Sequence, residues 1–197
     1  MQPEQAPDNG AENLPFLEER RALRRRLLAL RAGLPDRANA DARIGAALAP
    51  LLERLGARRV GFYWPIQGEF DARAVIAQWL AGMPGRQAAL PVVSRPGTPL
   101  DFHAWTPETT MRAGHYDIPV PDNTEAVLPD ALLIPCVGFS RDKFRLGYGG
   151  GFYDRTLAAR ADTPVAIGIG FAACEIPLQA QPHDLPMDWI VTEGGAF

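Results

Sequence analysis

A chain of 197 residues, 47% hydrophobic and with a formal net charge of −3, is long enough for one domain, or one domain with a small appendage, around a full core. The near-neutral balance excludes a protein that coats nucleic acid, which would carry a basic excess. No stretch is apolar over the eighteen or so residues that a membrane span requires, and the opening MQPEQAPDNGAENLP lacks an apolar signal region, so the expectation is a cytoplasmic protein.

Residues 1–13 are polar and read as a disordered tail ahead of a domain over 14–197. The segment FLEERRALRRRLLALRAGL then predicts a helix, with Leu23, Leu27, Leu30 and Leu34 on one apolar stripe. Arg20, Arg24 and Arg31 share that spacing and cluster within about 40° of one another beside the stripe, whereas Arg21 and Arg25 point further round, toward water. A charge run is most often a solvated face; arginines bordering a core stripe can instead aim inward, at an anion. A second helix is predicted over Arg37 to Leu55, with Ile44, Leu48, Leu51 and Leu55 on one face and a kink or restart at Pro50. RRVGFYWPI predicts a strand ending at Pro65, DARAVIAQWLAGM a helix capped by Asp71, and QAALPVVSR and LDFHAWT two strands around the turn PGTP.

HYDIPVPDNTEAVLPD predicts a proline-rich connection. ALLIPCVGFS is apolar nearly throughout, as expected of one strand buried on both faces. Cys136 within it and the distant Cys174 form no CxxC pair and read as buried, reduced thiols. A glycine loop, a helix to about Ala161 and the strands PVAIGIGF and DWIVTE complete the chain. Strands alternating with helices predict an α/β fold: a single three-layer domain with an open, mainly parallel sheet flanked by helices.

The glycine loop lies in RLGYGGGFYDRTLA. Gly147, Gly149 and Gly151 alternate and Gly150 fills one gap, so backbone N–H groups can approach a ligand closely where the chain turns into a helix near Phe152. Its place just past the end of a central strand is where open α/β sheets bind ligands; a tight connection without a ligand would use the same glycines. The chemistry is not that of a P-loop: nineteen of the twenty basic residues are arginine, and the lone lysine, Lys143, sits in RDKFR rather than in a Gly-Lys-Ser/Thr sequence. His103, His115 and His183 have no metal-site spacing, and Ser140 lacks a Gly-x-Ser-x-Gly setting. A local structural pairing with Asp184 is the expected role of His183.

LLIPCVGFSRDKFRLGYGGGFYDRTLA closely resembles the signature of the 5-formyltetrahydrofolate cyclo-ligases, also called methenyltetrahydrofolate synthetases. The resemblance runs from about residue 14 onward, with RRALRRRLLALRAGL similar to the family's opening helix, YWPIQGEFD to its folate segment and PHDLPMDWIVTE to its C-terminal signature. It implies conversion of 5-formyltetrahydrofolate, polyglutamylated or not, and MgATP into 5,10-methenyltetrahydrofolate, ADP and phosphate, with no nucleic-acid or membrane partner. It places Arg20 and Arg24 on ATP phosphates, and Arg145, Gly147, Gly149, Gly150, Gly151 and Tyr153 in the nucleotide loop. By the same resemblance Arg145 and Tyr153 are the catalytic candidates, Trp64, Glu69, Gly149, Gly150, Gly151 and Phe152 would meet the folate, and Asp154 and Asp188 would hold Mg2+.

The residue types suit that chemistry. Arginine offers phosphate a planar donor fork, carboxylates suit a hard, oxygen-liganded metal, and Glu69 can accept from the N–H edge of a pterin or serve only as a helix-dipole partner. Tyr153 can hydrogen-bond the reacting group or simply pack. The chain departs from the family pattern in having Arg20 for the usual lysine, Ser140 for a frequent aspartate, and FAACEI where an acidic residue and then glutamine are common. Two other readings use the same loop: a paralogue acting on another substrate, and a non-catalytic nucleotide- or folate-binding protein. Trp64, Glu69 and HDLPMD favour the cyclo-ligase over the first, and the carboxylates of Asp154 and Asp188 over the second.

Overall fold

The structure, a computed structural model, describes residues 14–181 and 184–197. The tail expected over 1–13 and the expected pairing of His183 lie outside the described residues. Four helices, α1 (Leu14–Ala32), α2 (Arg37–Leu55), α3 (Arg73–Ala81) and α4 (Phe152–Ala158), surround the strands β1 (Arg59–Gly61), β2 (Gln87–Val92), β3 (Asp101–Trp105), β6 (Ala131–Pro135), β9 (Val165–Ile169), β10 (Trp189–Thr192) and β11 (Gly195–Ala196). The remaining strands, β4 (Met111–Ala113), β5 (Pro119–Pro121), β7 (Gly138–Phe139) and β8 (Arg145–Leu146), form two small ribbons.

The main sheet has the order β11-β10-β9-β6-β1-β2-β3. Its interior pairs are parallel, and only the edge strands β3 and β11 run antiparallel. Alternation along the central strand divides the core. Leu133 packs with Leu27, Leu48 and Ile76 of α1, α2 and α3, whereas Leu132 and Ile134 pack with Leu157 of α4 on the other face. Ala131 through Ile134 are completely buried, as a strand covered on both faces must be. These are the three layers of the expected α/β fold.

Several expected elements change where local chemistry meets tertiary demand. α2 runs unbroken through Pro50; Ala46 and Pro50 are both exposed, on a face where water can satisfy a carbonyl that proline leaves unpaired. Among the described side chains of α1 the buried positions are Leu27 and Arg31, while Leu30 is 44% exposed, so an arginine takes a place in the stripe that the pattern gave to leucine. The strand expected over 131–140 ends at Pro135. The chain then leaves the sheet and forms β7, paired with β8, and Gly138 passes so close beneath α1 that an added Cβ would lie 2.6 Å from the Leu27 side chain. The connection over 115–130 contains β5, which pairs with β4 despite Pro119 and Pro121; a two-stranded ribbon tolerates proline because each strand has a free edge. Cys136 and Cys174 are buried and free, as expected, and burial pushes the Cys136 thiol up to about 12.

Candidate active site

A cavity of about 510 Å3 opens at the carboxyl ends of β1, β2 and β6, marked by Trp64, Val93 and Pro135, which is where a parallel sheet collects its ligands. α1 and the glycine loop form one wall, the segment after β1 another, and the turn between β4 and β5 the rim.

The α1 wall carries cations. Arg20 and Arg24 are half-buried and line the cavity, whereas Arg21 and Arg25 are exposed. Arg24 Nε donates to the Gly147 carbonyl at 2.7 Å. Burial, and then the charges of Arg20 and Arg21, lower the proton affinity of Arg24, the position of a cation that an incoming anion would relieve. Arg20 Nη2 lies 3.1 Å from Asp184 Oδ2. Arg145 is 8% exposed; its Nη2 contacts Asp154 Oδ2 at 2.9 Å, while its Nη1 is buried with no protein acceptor.

The loop opposite is backbone held open. Gly149 has φ +98° and Gly151 φ +63°, the left-handed region that glycine enters without steric cost. A Cβ on Gly149 would lie 3.4–3.6 Å from the Arg24 guanidinium, in contact with it, so the loop backbone and this cation face each other closely. α4 spans only Phe152–Ala158 and Gly151 caps it without a side-chain bond; the anion-favouring character here comes from the arginines and the loop rather than from a long helix.

The second wall carries a buried carboxylate. Glu69 is 6% exposed; its Oε2 accepts the Ile66 N–H at 2.9 Å and its Oε1 accepts the Tyr148 O–H at 2.7 Å. Burial raises its carboxyl above the usual range, opposed by those two bonds. At the start of α3 it is Asp71, rather than Glu69, that accepts the Arg73 N–H. Trp64 lines the same side, and the Arg73 guanidinium stacks 4.4 Å from its ring centroid.

Arg20, Arg24, Trp64, Glu69, Arg145, Gly147, Gly149, Gly150, Gly151, Phe152, Tyr153 and Asp154 therefore meet around one cavity. Tyr153 is half-buried, and burial followed by the Glu69 charge raises its phenol. Asp188 stands apart. Its Oδ2 accepts the Ala166 N–H at 2.7 Å, and Ala166 pairs with Leu132, three residues short of the cavity end of β6. The structure does not bring Asp154 and Asp188 together; Asp184, in the same C-terminal segment, lines the cavity instead. Among the described residues no cluster of three or more metal-ligating side chains occurs. His103 contacts the Thr124 carbonyl and His115 stands at the cavity rim. Buried Arg31 was visible in the spacing of Arg20 and Arg24, but its partner, Tyr148 Oη at 2.7 Å, was not.

Comparison with known proteins agrees with this geometry. The model of the 5-formyltetrahydrofolate cyclo-ligase family matches residues 17–193. The 5-formyltetrahydrofolate cyclo-ligase of Haemophilus influenzae is 29% identical over 182 residues, 86% of this chain and 95% of that protein. The Mycolicibacterium smegmatis cyclo-ligase is 31% identical over 150 residues, 71% of this chain and 75% of that one. Among solved structures, the 5,10-methenyltetrahydrofolate synthetase of Aquifex aeolicus superposes with a TM-score of 0.74 at 25% identity, covering 90% of this chain and 91% of that one. That of Mycoplasma pneumoniae superposes with a TM-score of 0.71 at 26% identity, covering 88% of this chain and 98% of that one. With the match spanning nearly all the described residues, the chain belongs to the 5-formyltetrahydrofolate cyclo-ligase family.

Proposed function

We propose that this chain converts 5-formyltetrahydrofolate and ATP into 5,10-methenyltetrahydrofolate, ADP and phosphate in the cavity at the carboxyl ends of β1, β2 and β6. The observation that carries the reading is the joining of two unlike subsites in one cavity: an arginine-faced glycine loop and a buried carboxylate beside an indole.

The formyl oxygen of the amide is a poor leaving group. Transfer of the γ-phosphoryl group of ATP to that oxygen makes it one; nitrogen 10 then attacks the formyl carbon, phosphate departs, and the nitrogen loses its proton as the ring closes. Such a transfer asks a protein for positioning and charge neutralisation. Arg20, Arg24 and the unpartnered Nη1 of Arg145 supply donors to phosphate oxygens, and the glycines let the backbone approach. Arg145 and Tyr153 line the same cavity as the glycine loop, and they would act on the transferred group and the formyl oxygen. Mg2+ is generally bound through one or two carboxylates together with phosphates and water; Asp154, and Asp184 in the same cavity, would hold it, and the ion would supply charge neutralisation to the phosphates. Glu69 and Trp64 line the same cavity; in this reading Glu69 accepts from the pterin's adjacent N–H donors and Trp64 packs against the ring.

With 5-formyltetrahydrofolate, ATP and Mg2+ present, the purified protein is expected to form methenyltetrahydrofolate, read by its absorbance, and the two faces of α1 to respond differently. Charge-assisted bonds to phosphate are about twice as strong as neutral ones, so Arg24→Ala raises the KM for ATP at least about tenfold, equivalent to about 1.4 kcal/mol. Exposed Arg25→Ala leaves that KM within about twofold. Equal effects of the two substitutions would return α1 to a plain basic surface, and absence of product from the parent protein would remove the reading altogether.

A further inference from the structure

Between Gly147 and Gly151 only position 148 carries a side chain. Tyr148 is therefore the one side chain that this glycine stretch itself sends toward the rest of the molecule, beside the bonds that its Gly147 and Gly150 carbonyls accept from Arg24 and Arg155. Its ring is 37% exposed, yet its hydroxyl is bonded on both sides. The oxygen accepts from Arg31 Nη2 at 2.7 Å, and the hydrogen is donated to Glu69 Oε1 at 2.7 Å. A phenol has one hydrogen to give, and the arginine, which cannot accept, leaves the carboxylate as its recipient. Arg31 is 2% exposed and also reaches the Cys136 carbonyl at 3.4 Å, so the cation behind the tyrosine is anchored in the core next to β6. At the other end, Glu69 is held by the Ile66 N–H, and its own carbonyl accepts from Arg37 Nη2 at 2.9 Å. The result is a continuous chain, Arg31 to Tyr148 to Glu69, that crosses from α1 through the glycine loop to the opposite wall.

We infer that Tyr148 is a positioning residue which sets the glycine loop and the Glu69 carboxylate as one unit, so that nucleotide and folate each tighten the binding of the other. The inference rests on the functional reading above, in which the loop takes ATP and Glu69 takes the pterin edge. With one hydrogen bond already on each oxygen, Glu69 is fixed in plane and keeps a further lone pair on each oxygen for a ligand. A nucleotide seated on the loop restrains Tyr148 and with it the carboxylate. A pterin seated on the carboxylate restrains Tyr148 and with it the loop. Ordering done by the first ligand is not repeated by the second, and the coupling is equal in both directions.

The test is equilibrium titration of the parent protein and of Tyr148→Phe, which keeps the ring and removes the hydroxyl, with a non-hydrolysable ATP analogue plus Mg2+ and with 5-formyltetrahydrofolate, each alone and each in the presence of the other. In the parent protein each ligand is expected to tighten the other at least about fivefold, the lower range of measured couplings. In Tyr148→Phe, melting close to the parent, the analogue alone binds within about twofold of the parent and the folate alone about tenfold more weakly, the size of one hydrogen bond to a charged group. The mutual tightening disappears. No mutual tightening in the parent, or its persistence in Tyr148→Phe with unchanged folate affinity, overturns the inference and leaves the functional reading standing. A parent protein that binds neither ligand overturns both.

Discussion

Gly149→Val is expected to weaken nucleotide binding by about a hundredfold or more, equivalent to about 2.7 kcal/mol, in a protein that remains folded. Gly149 has φ +98°, and a β-branched residue in that region carries strain of about 1–3 kcal/mol. The loop relieves this strain by moving, since Gly149 and Gly150 are exposed and hold no core side chain in place. A valine would also stand against the Arg24 guanidinium, which lies 3.4–3.6 Å from a Cβ at this site. Both changes strike the approach of backbone and cation to phosphate. The strain is small beside the roughly 5–15 kcal/mol that holds a domain of this kind together, so circular dichroism stays near that of the parent while nucleotide titration collapses. Unchanged affinity in a folded variant would make the glycine loop a mere connection.

Glu69→Ala is expected to raise the KM for 5-formyltetrahydrofolate by about a hundredfold, the combined worth of two hydrogen bonds to a charged acceptor, with the affinity for nucleotide alone little changed. The same carboxylate gives the folate KM a particular pH dependence. Burial raises the Glu69 carboxyl above the ordinary range, so on acidification it takes up its proton sooner than an exposed glutamate with a pKa of about 4.3. The protonated acid accepts poorly, and the folate KM therefore rises as pH falls toward and through this raised value. For stability the sign is the reverse. A folded-state pKa above the unfolded one favours the folded protein below the unfolded pKa, and that contribution is lost as pH rises through the folded value. Removing the buried charge in Glu69→Ala thus offsets part of the packing loss at neutral pH. Steady-state KM values for each substrate across the acid range check the binding statement, and denaturant unfolding across the same range checks the one on stability; a folate KM in Glu69→Ala within about twofold of the parent would take Glu69 out of the substrate site.

Much of the site was legible in α1 and the glycine loop because both are local patterns. The spacing of Arg20 and Arg24 beside a leucine stripe says which arginines turn inward, and the structure keeps Arg21 and Arg25 in water. The apolar run before the loop says that a buried strand precedes it, although Pro135 ends that strand and β7 begins a separate ribbon. What was not legible depends on partners distant in sequence. In the sequence Glu69 is an even choice between helix dipole and ligand, and its hydrogen bond from Tyr148, 79 residues away, could not be read there. Arg31 could be seen to face inward but not to find that same tyrosine. Asp188 lies in a segment of the expected chemistry, yet the register of β10 beside β9 turns its carboxylate to the Ala166 N–H; strand register comes from pairing with neighbours and leaves no mark in the residue itself. The ribbon of β4 and β5 escaped because its prolines read as loop.

The central claim, that one cavity couples ATP consumption to ring closure, is tested most directly by measuring phosphate release and methenyltetrahydrofolate formation in the same reaction. The expected result is equimolar phosphate and methenyltetrahydrofolate throughout the time course, with neither formed when ATP, Mg2+ or 5-formyltetrahydrofolate is left out. Methenyltetrahydrofolate formed at an equal rate without ATP, or phosphate released at an equal rate without the folate, would contradict it.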